Sequence, residues 1–273
     1  MALLGDDGAP PFHARPDPYN LHAARRRRRM GGEDGETTMK KLLRRAVAVC
    51  AFSAGAFAVA AASPDAASDT FEVSAANLLV VLRETPGANK QDEALQPFGK
   101  IAARLPDGRD VEFEASWFQY LGDMHLRLVF DGERRVQSAL PSDLLKLRLT
   151  PEEALARAVG NLRQRYGTPV AEPWSGGLMQ VRGSTPELAS SYFLDRQFWM
   201  EQLRHYPQGI VAAVPGREGL VFAPADNEMA VASLRFSAAA LYVSSDRSRV
   251  SSGLYLFKDG RWSVFQRPQA PVH

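Results

Sequence analysis

The sequence predicts an α+β fold, antiparallel sheet built of hairpins with three to four helices. Short apolar runs bounded by Pro, Asp and Gly recur over 98–130, 178–223 and 253–266, the pattern of hairpin strands. Between them, apolar residues repeat at helical spacing behind capping residues. The order of elements is hairpin, helix, hairpin, which argues against a doubly wound parallel sheet.

Taken in order, residues 74–84 read as a helix starting at Ser74. Strands follow at 98–105, 110–118 and 124–130, with a turn at Pro106-Asp107-Gly108-Arg109 and a stop at Asp131-Gly132. Val111, Phe113, Ala115 and Trp117 alternate with Glu112, Glu114 and Ser116, so the odd-numbered side chains face inward. His125, Arg127 and Val129 alternate with Leu126, Leu128 and Phe130, which places His125 on the surface. Thr150, Pro151 and Glu153 form a capping box that opens a helix over 150–166, closed by Gly167 and Pro169. Strands are expected at 178–183 and 189–194, then a helix over 195–205 capped by Asp195. Residues 209–214 and 219–223 make a hairpin with Pro215-Gly216-Arg217-Glu218 at its turn. Asp226 is the expected cap of a helix carrying Ala230, Val231, Leu234, Ala238 and Leu241. The last hairpin, 253–257 with 261–266, turns on Lys258-Asp259-Gly260.

The first sixty residues read differently. Lys40, Lys41, Arg44 and Arg45 precede an uncharged apolar run over 46–62 that ends in Ala60-Ala61-Ala62. A basic flank, an apolar run and an Ala-x-Ala site make a secretory signal peptide. Residues 39–62 are therefore expected to be removed, and a retained anchor is the weaker alternative for a run at the short end of the spanning range. Residues 1–38, with Arg25–Arg29 in a block, are expected to arise from translation upstream of the natural start at Met39. Beyond Ala62 come a tail (63–73), an N-terminal α+β region (74–146), a C-terminal α+β region (147–266) and a second tail (267–273). From Pro64 onward there are 23 Lys and Arg against 25 Asp and Glu, a net charge of −2. Such a chain lacks the basic surface that drives phosphate-backbone binding, so no nucleic acid is expected as partner. Cys50, the sole cysteine, lies in the signal segment, which leaves a mature chain without disulfides or thiol chemistry.

Three stretches in the second half carry a family resemblance. They are Leu149-Thr150-Pro151-Glu152-Glu153-Ala154 with Asn161-Leu162; Glu187 to Leu194 with Trp199; and Ile210 to Phe222 with Val250 to Tyr255. Residues 147–266 resemble the YtpQ-like family of bacterial proteins of unknown function. The resemblance implies an α+β fold and carries no activity with it.

Chemistry is sparse. His125, His205 and His273 are too scattered in sequence for a metal site. Ser190 or Ser191 with Asp195 and His205 could make a nucleophilic triad only on an exposed elbow, and no Gly-x-Ser-x-Gly occurs. Glu152, Glu153, Asp226 and Glu228 sit in first turns of helices, and Ser175-Gly176-Gly177 lacks the lysine of a phosphate loop. The residues best suited to hold a ligand are Arg217 at the hairpin tip, Arg247 and Arg249 in an arginine- and serine-rich connection, and Ser251 and Ser252 beyond it. The reading is an exported, periplasmic or secreted binding or interaction module without cofactor or metal. Its partner is a ligand or another envelope protein, and it makes no stable membrane span once the signal is removed. A hydrolase acting on an envelope polymer or peptide is the alternative. The mature chain is expected to begin near Ser63. Mass spectrometry of the exported protein checks this, and peptides from 46–60 in a soluble envelope fraction would refute it.

Overall fold

Residues 72–105, 107–132 and 136–269 are described by the computed structural model. The expected upstream segment, signal segment, cleavage site, Cys50 and most of both tails lie outside the described residues.

Strand β1 (Leu78–Glu84) begins with five consecutive apolar residues, all buried. It pairs antiparallel along its whole length with β6 (Met124–Asp131), Leu78 opposite Phe130 and Glu84 opposite Met124. The helix expected over 74–84 is thus a strand. A run this short fits either state. Both of its faces are covered, so it lacks the alternation that marks a half-buried strand, and Val80-Val81 suits the pleated backbone.

The other edge of β6 carries β5 (Trp117–Gln119) and β7 (Val136–Ser138), and β2 (Gln96–Pro97) extends the sheet beyond β5. The register sorts the side chains onto two faces. Leu78, Val80 and Leu82 stand with Leu126, Leu128 and Phe130 on one. Leu79, Val81 and Arg83 stand with His125, Arg127 and Val129 on the other. Strands β3 (Lys100–Arg104) and β4 (Asp110–Glu114) form a separate ribbon. As expected, Val111 and Phe113 turn inward while Glu112 and Glu114 are exposed. The ribbon has no further strand to cover it, so Phe113 is only half-buried, its ring meeting that of Trp117 edge-on at 5.8 Å.

The second sheet contains β8 (Val170–Trp174), β9 (Leu178–Arg182), β10 (Ile210–Gly216), β11 (Gly219–Pro224), β12 (Leu254–Lys258) and β13 (Arg261–Gln266). Its order is β13-β12-β10-β11-β9-β8, antiparallel throughout. Asp259 and Gly260, both with positive φ, make the last hairpin turn. Strand β8 contains Pro173, which the sheet tolerates because β8 lies at its edge.

Four α-helices occur among the described residues: α1 (Pro141–Leu147), α2 (Pro151–Tyr166), α3 (Arg196–His205) and α4 (Glu228–Ser244). Thr150 and Glu153 close the expected box, the threonine hydroxyl accepting from Glu153 N and the Glu153 carboxylate from Thr150 N. Asp195 caps α3, accepting from Phe198 N at 3.2 Å. The cap of α4 is Asn227, which accepts from Ala230 N at 3.0 Å, so the expected Asp226 lies one residue early. Residues 189–194, expected as a strand, belong to a 3₁₀ segment (Pro186–Leu194). Five consecutive residues of it, Ala189 to Phe193, are buried, and Trp199 Nε1 donates to the carbonyls of Tyr192 and Phe193, both at 3.0 Å.

Helix α2 packs on β1. Buried Asn161 on α2 donates to Ala75 O at 2.7 Å and to Leu78 O at 2.8 Å, where β1 begins. One core therefore runs through both sheets, from Leu78 to an aromatic cluster of Phe193, Trp199, Phe222, Tyr255, Phe257 and Trp262. On the far face of the second sheet, Val211, Ala213, Val221 and Ala223 pack beneath α4. The described residues all fall within one compact unit.

Thr150→Ala removes a surface cap and is expected to destabilise by about 0.5–2 kcal/mol. Asn161→Ala strands the buried carbonyl of Leu78 and the half-buried one of Ala75 and should cost more, about 1–3 kcal/mol for the buried group alone. Urea midpoints of the two variants measure the order, and an unchanged midpoint for Asn161→Ala would show that α2 is not fastened to β1 through this side chain.

Candidate functional site

The pairing of β1 with β6 sets Arg83 opposite His125 and Val81 opposite Arg127. The pairing of β5 with β6 sets Trp117 opposite Arg127. All of these fall on one face of the first sheet. The Arg127 guanidinium lies over the Trp117 ring at 3.5 Å, a cation–π contact. Its Nε donates to His125 Nε2 at 2.9 Å. An arginine Nε–H can only donate, so Nε2 accepts and the proton of the neutral ring lies on Nδ1, 2.8 Å from Thr85 Oγ1. Phe98 meets the same imidazole edge-on at 5.1 Å.

His125 is 4% exposed, so its expected surface position is overturned. The alternation along β6 is as read, but the face that carries His125 is covered by Phe98 and Trp117 rather than by water. Burial, reinforced by Arg127 and Arg83, pushes its pKa down to about 3, so the ring is neutral at physiological pH.

Arg217 reaches the same region from the β10–β11 turn. Its backbone N donates to Ser248 O and its carbonyl accepts from Ser190 N, both at 2.9 Å, which holds the hairpin tip in place. Burial lowers the Arg83 pKa to about 10, and the charges of Arg217 and Arg127 act in the same direction. Burial likewise lowers Arg127 to about 10. Among the described residues, none of these three half-buried arginines forms an ion pair with a carboxylate. The acid that follows Arg83, Glu84, alternates to the other face of β1 and accepts from the Tyr242 hydroxyl. Trp117 Nε1 is buried and makes no hydrogen bond. Arg83, Arg127 and Trp117 thus share one face of the first sheet, and the charge of Arg217 acts on Arg83 from the neighbouring turn.

A second polar group lies where the chain turns from β5 into β6. Asp123, 2% exposed, accepts from the Tyr255 hydroxyl at 3.1 Å, and Ser252 N points at its other oxygen from 3.4 Å. The Tyr255 hydroxyl in turn meets Ser251 Oγ at 2.6 Å. Burial raises the Asp123 pKa to about 6, against the hydrogen bonds from Ser251, Ser252 and Tyr255. Gly122 has φ +64°, and a Cβ there would lie 2.3 Å from the Tyr255 hydroxyl, so only glycine allows this approach. The group ties the first sheet to the second.

Of the residues chosen from sequence, only Arg217 joins the arginine patch. Arg249 closes the C-terminal end of α4, donating to Tyr242 O at 3.0 Å and to Val243 O at 3.3 Å. Arg247 is exposed on the short turn Asp246–Ser248. Ser251 is buried in the Asp123 group, and Ser252 Oγ accepts from Gln269 N. Arg83, Arg127 and Trp117 were missed. The visible signal was an arginine interrupting each of two otherwise apolar strands, Arg83 after Leu78–Leu82 and Arg127 between Leu126 and Leu128.

The triad on paper does not assemble. Asp195 and His205 stand at opposite ends of α3, about 15 Å apart at the helical rise. Asp195 gives both oxygens to Arg163, at 2.9 and 2.8 Å. Ser190 and Ser191 are each 1% exposed. Among the described residues, no group of three or more His, Cys, Asp or Glu stands where it could hold a metal ion. None of their helices is long and apolar enough to cross a membrane. Comparison with known protein families, with curated proteins and with solved structures finds no match.

The two buried titratable groups have opposite effects on stability. As pH falls from 6.5 towards 3, the unfolded chain takes up a proton that folded His125 refuses, so stability falls by about 1.4 kcal/mol per pH unit. As pH falls from about 6 to 3.8, folded Asp123 takes up a proton that the unfolded chain does not, so stability rises at the same slope. The contributions cancel between about pH 6 and 4. Relative to the parent protein, His125→Gln should gain stability over that interval and Asp123→Asn should lose it. Urea midpoints measured across the interval test this, and curves parallel to the parent's would refute both assignments.

Proposed function

We propose that this protein is an exported, cell-envelope binding module without catalytic activity, and that its ligand carries an anionic group held by Arg83, Arg127 and Arg217. One observation carries the reading: Arg83 and Arg127 stand half-buried on one face of the first sheet, the charge of Arg217 acts on Arg83 from the β10–β11 turn, and none of the three forms an ion pair with a carboxylate among the described residues. Uncompensated charge away from water is costly. A phosphate, sulfate or carboxylate removes that cost, and the planar guanidinium fork can grip any of them with two parallel hydrogen bonds. Neutral His125 supports the same chemistry as a positioning residue: its Nε2 accepts from Arg127 Nε, which leaves the terminal nitrogens of Arg127 to face a ligand. Trp117 holds that guanidinium from beneath. The Ala-x-Ala site after the apolar run supports export. The resemblance of 147–266 to the YtpQ-like family stands beside this reading as an expectation of fold.

Thermal unfolding in inorganic phosphate, sulfate or citrate, each against chloride at matched ionic strength, tests the proposal. At ten times its dissociation constant a bound anion stabilises by about 1.4 kcal/mol. Arg83→Met should abolish that response while raising the stability of the ligand-free protein, since it removes an uncompensated charge. A melting temperature indifferent to all three anions would overturn the reading. So would an Arg83→Met variant that is merely destabilised.

A further inference from the structure

Helix α4 is apolar on both sides. Ala230, Val231, Leu234 and Ala238 are buried against the second sheet. Yet Met229 and Phe236 are each 80% exposed, and Val243 is 68% exposed. These three are spaced seven residues apart, with Ala232 and Ala239 between them. The helix has only two charged residues, Glu228 and Arg235. A helix that is hydrophobic all round belongs inside an assembly, and a seven-residue repeat of apolar positions separated by small residues is the seam of a helix pair. On β13, Phe265 extends the patch, with the Arg235 guanidinium 5.8 Å above its ring.

We infer that α4 pairs with α4 of a second copy of this chain, antiparallel, about a two-fold axis at Phe236. Phe236 stands at the midpoint of Glu228–Ser244. Antiparallel pairing about it sets Met229 against Val243 and Ala232 against Ala240, so large residues meet large and small meet small. The charges give the same direction. Glu228 lies at one end of the helix, and Arg249 lies at the other, bonded to the carbonyl of outward-facing Val243. Antiparallel pairing brings Glu228 of each copy towards Arg249 of the other and opposes the helix dipoles. Parallel pairing would set like charges together. The surface is isologous and closes at two copies. It adjoins the arginine patch only where the backbone of Arg249 bridges Gly216, and the inference does not depend on the anion reading.

Light scattering on the protein purified from the cell that makes it, without detergent and at tens of micromolar, should give the mass of two chains. Phe236→Glu should halve it while leaving the helical circular dichroism unchanged, because residue 236 is exposed in the single chain, and its urea midpoint should match that of the parent diluted until it dissociates. Cys50 is the only cysteine, so in a Cys50→Ser background introduced thiols report orientation. Phe236→Cys should cross-link to itself. Met229→Cys should cross-link only when Val243→Cys is present. A parent protein of one-chain mass would overturn the inference, as would a dimer that survives Phe236→Glu or a cross-link through Met229→Cys alone. Loss of anion response in Arg83→Met with the dimer intact separates this inference from the proposed function.

Discussion

Seven antiparallel residue pairs between β1 and β6 hold the first sheet together, and most else is arranged around them. One face of that ladder closes the shared core, with Leu78, Leu82, Leu126 and Phe130 all fully buried. Burying side chains of this size is worth about 1.5–3 kcal/mol each. The register that buries them also decides what stands on the other face. A slip of one residue would invert every side chain, exchanging Arg83 and Arg127 with leucines. The apolar face thus enforces the position of the arginines.

That arrangement has an electrostatic cost, and the protein meets it locally in three ways. Arg127 rests on an aromatic face and shares its Nε–H with a neutral imidazole. Arg83 donates to the carbonyl of Leu82 at 2.6 Å. His125 stays uncharged, so no fourth cation is added. None of these replaces a counter-ion. Elsewhere the same chain pairs its buried acids with care: Asp195 with Arg163, and Asp143 with the backbone of Leu140 and with Lys146. The arginine patch differs from those satisfied groups in that, among the described residues, no carboxylate pairs with it.

Local signals were legible and long-range ones were not. The Thr150 box, the Asp195 cap, the 210–224 hairpin and the Asp259-Gly260 turn are decided within a few residues, and each formed where its chemistry placed it. The errors share a different origin. Residues 74–84 and 189–194 are buried on more than one side, so periodicity could not assign them. Alternation assigns His125 to one face of β6 but does not say what covers that face, and Phe98 and Trp117 cover it. Helix α1 is only seven residues long and stands behind a leucine, although Pro141 and Asp143 supply its first turn. The arginine patch is assembled from three separated segments, and only its hairpin member, Arg217, had local features to single it out.

Asn161 has a further consequence, in the order of folding. Its two bonds close loops of 86 and 83 residues. The ladder partner of β1 lies some forty residues downstream, and the helix that covers β1 is further still. Until α2 docks, the most apolar strand of the first sheet keeps an open face. Closing long loops before their contacts are rewarded slows folding, and exposed strands of this composition associate readily. No disulfide among the described residues can shorten that search, since none of them is a cysteine. The interval before Asn161 reaches Ala75 and Leu78 is therefore the stage at which the chain depends most on being kept from its neighbours.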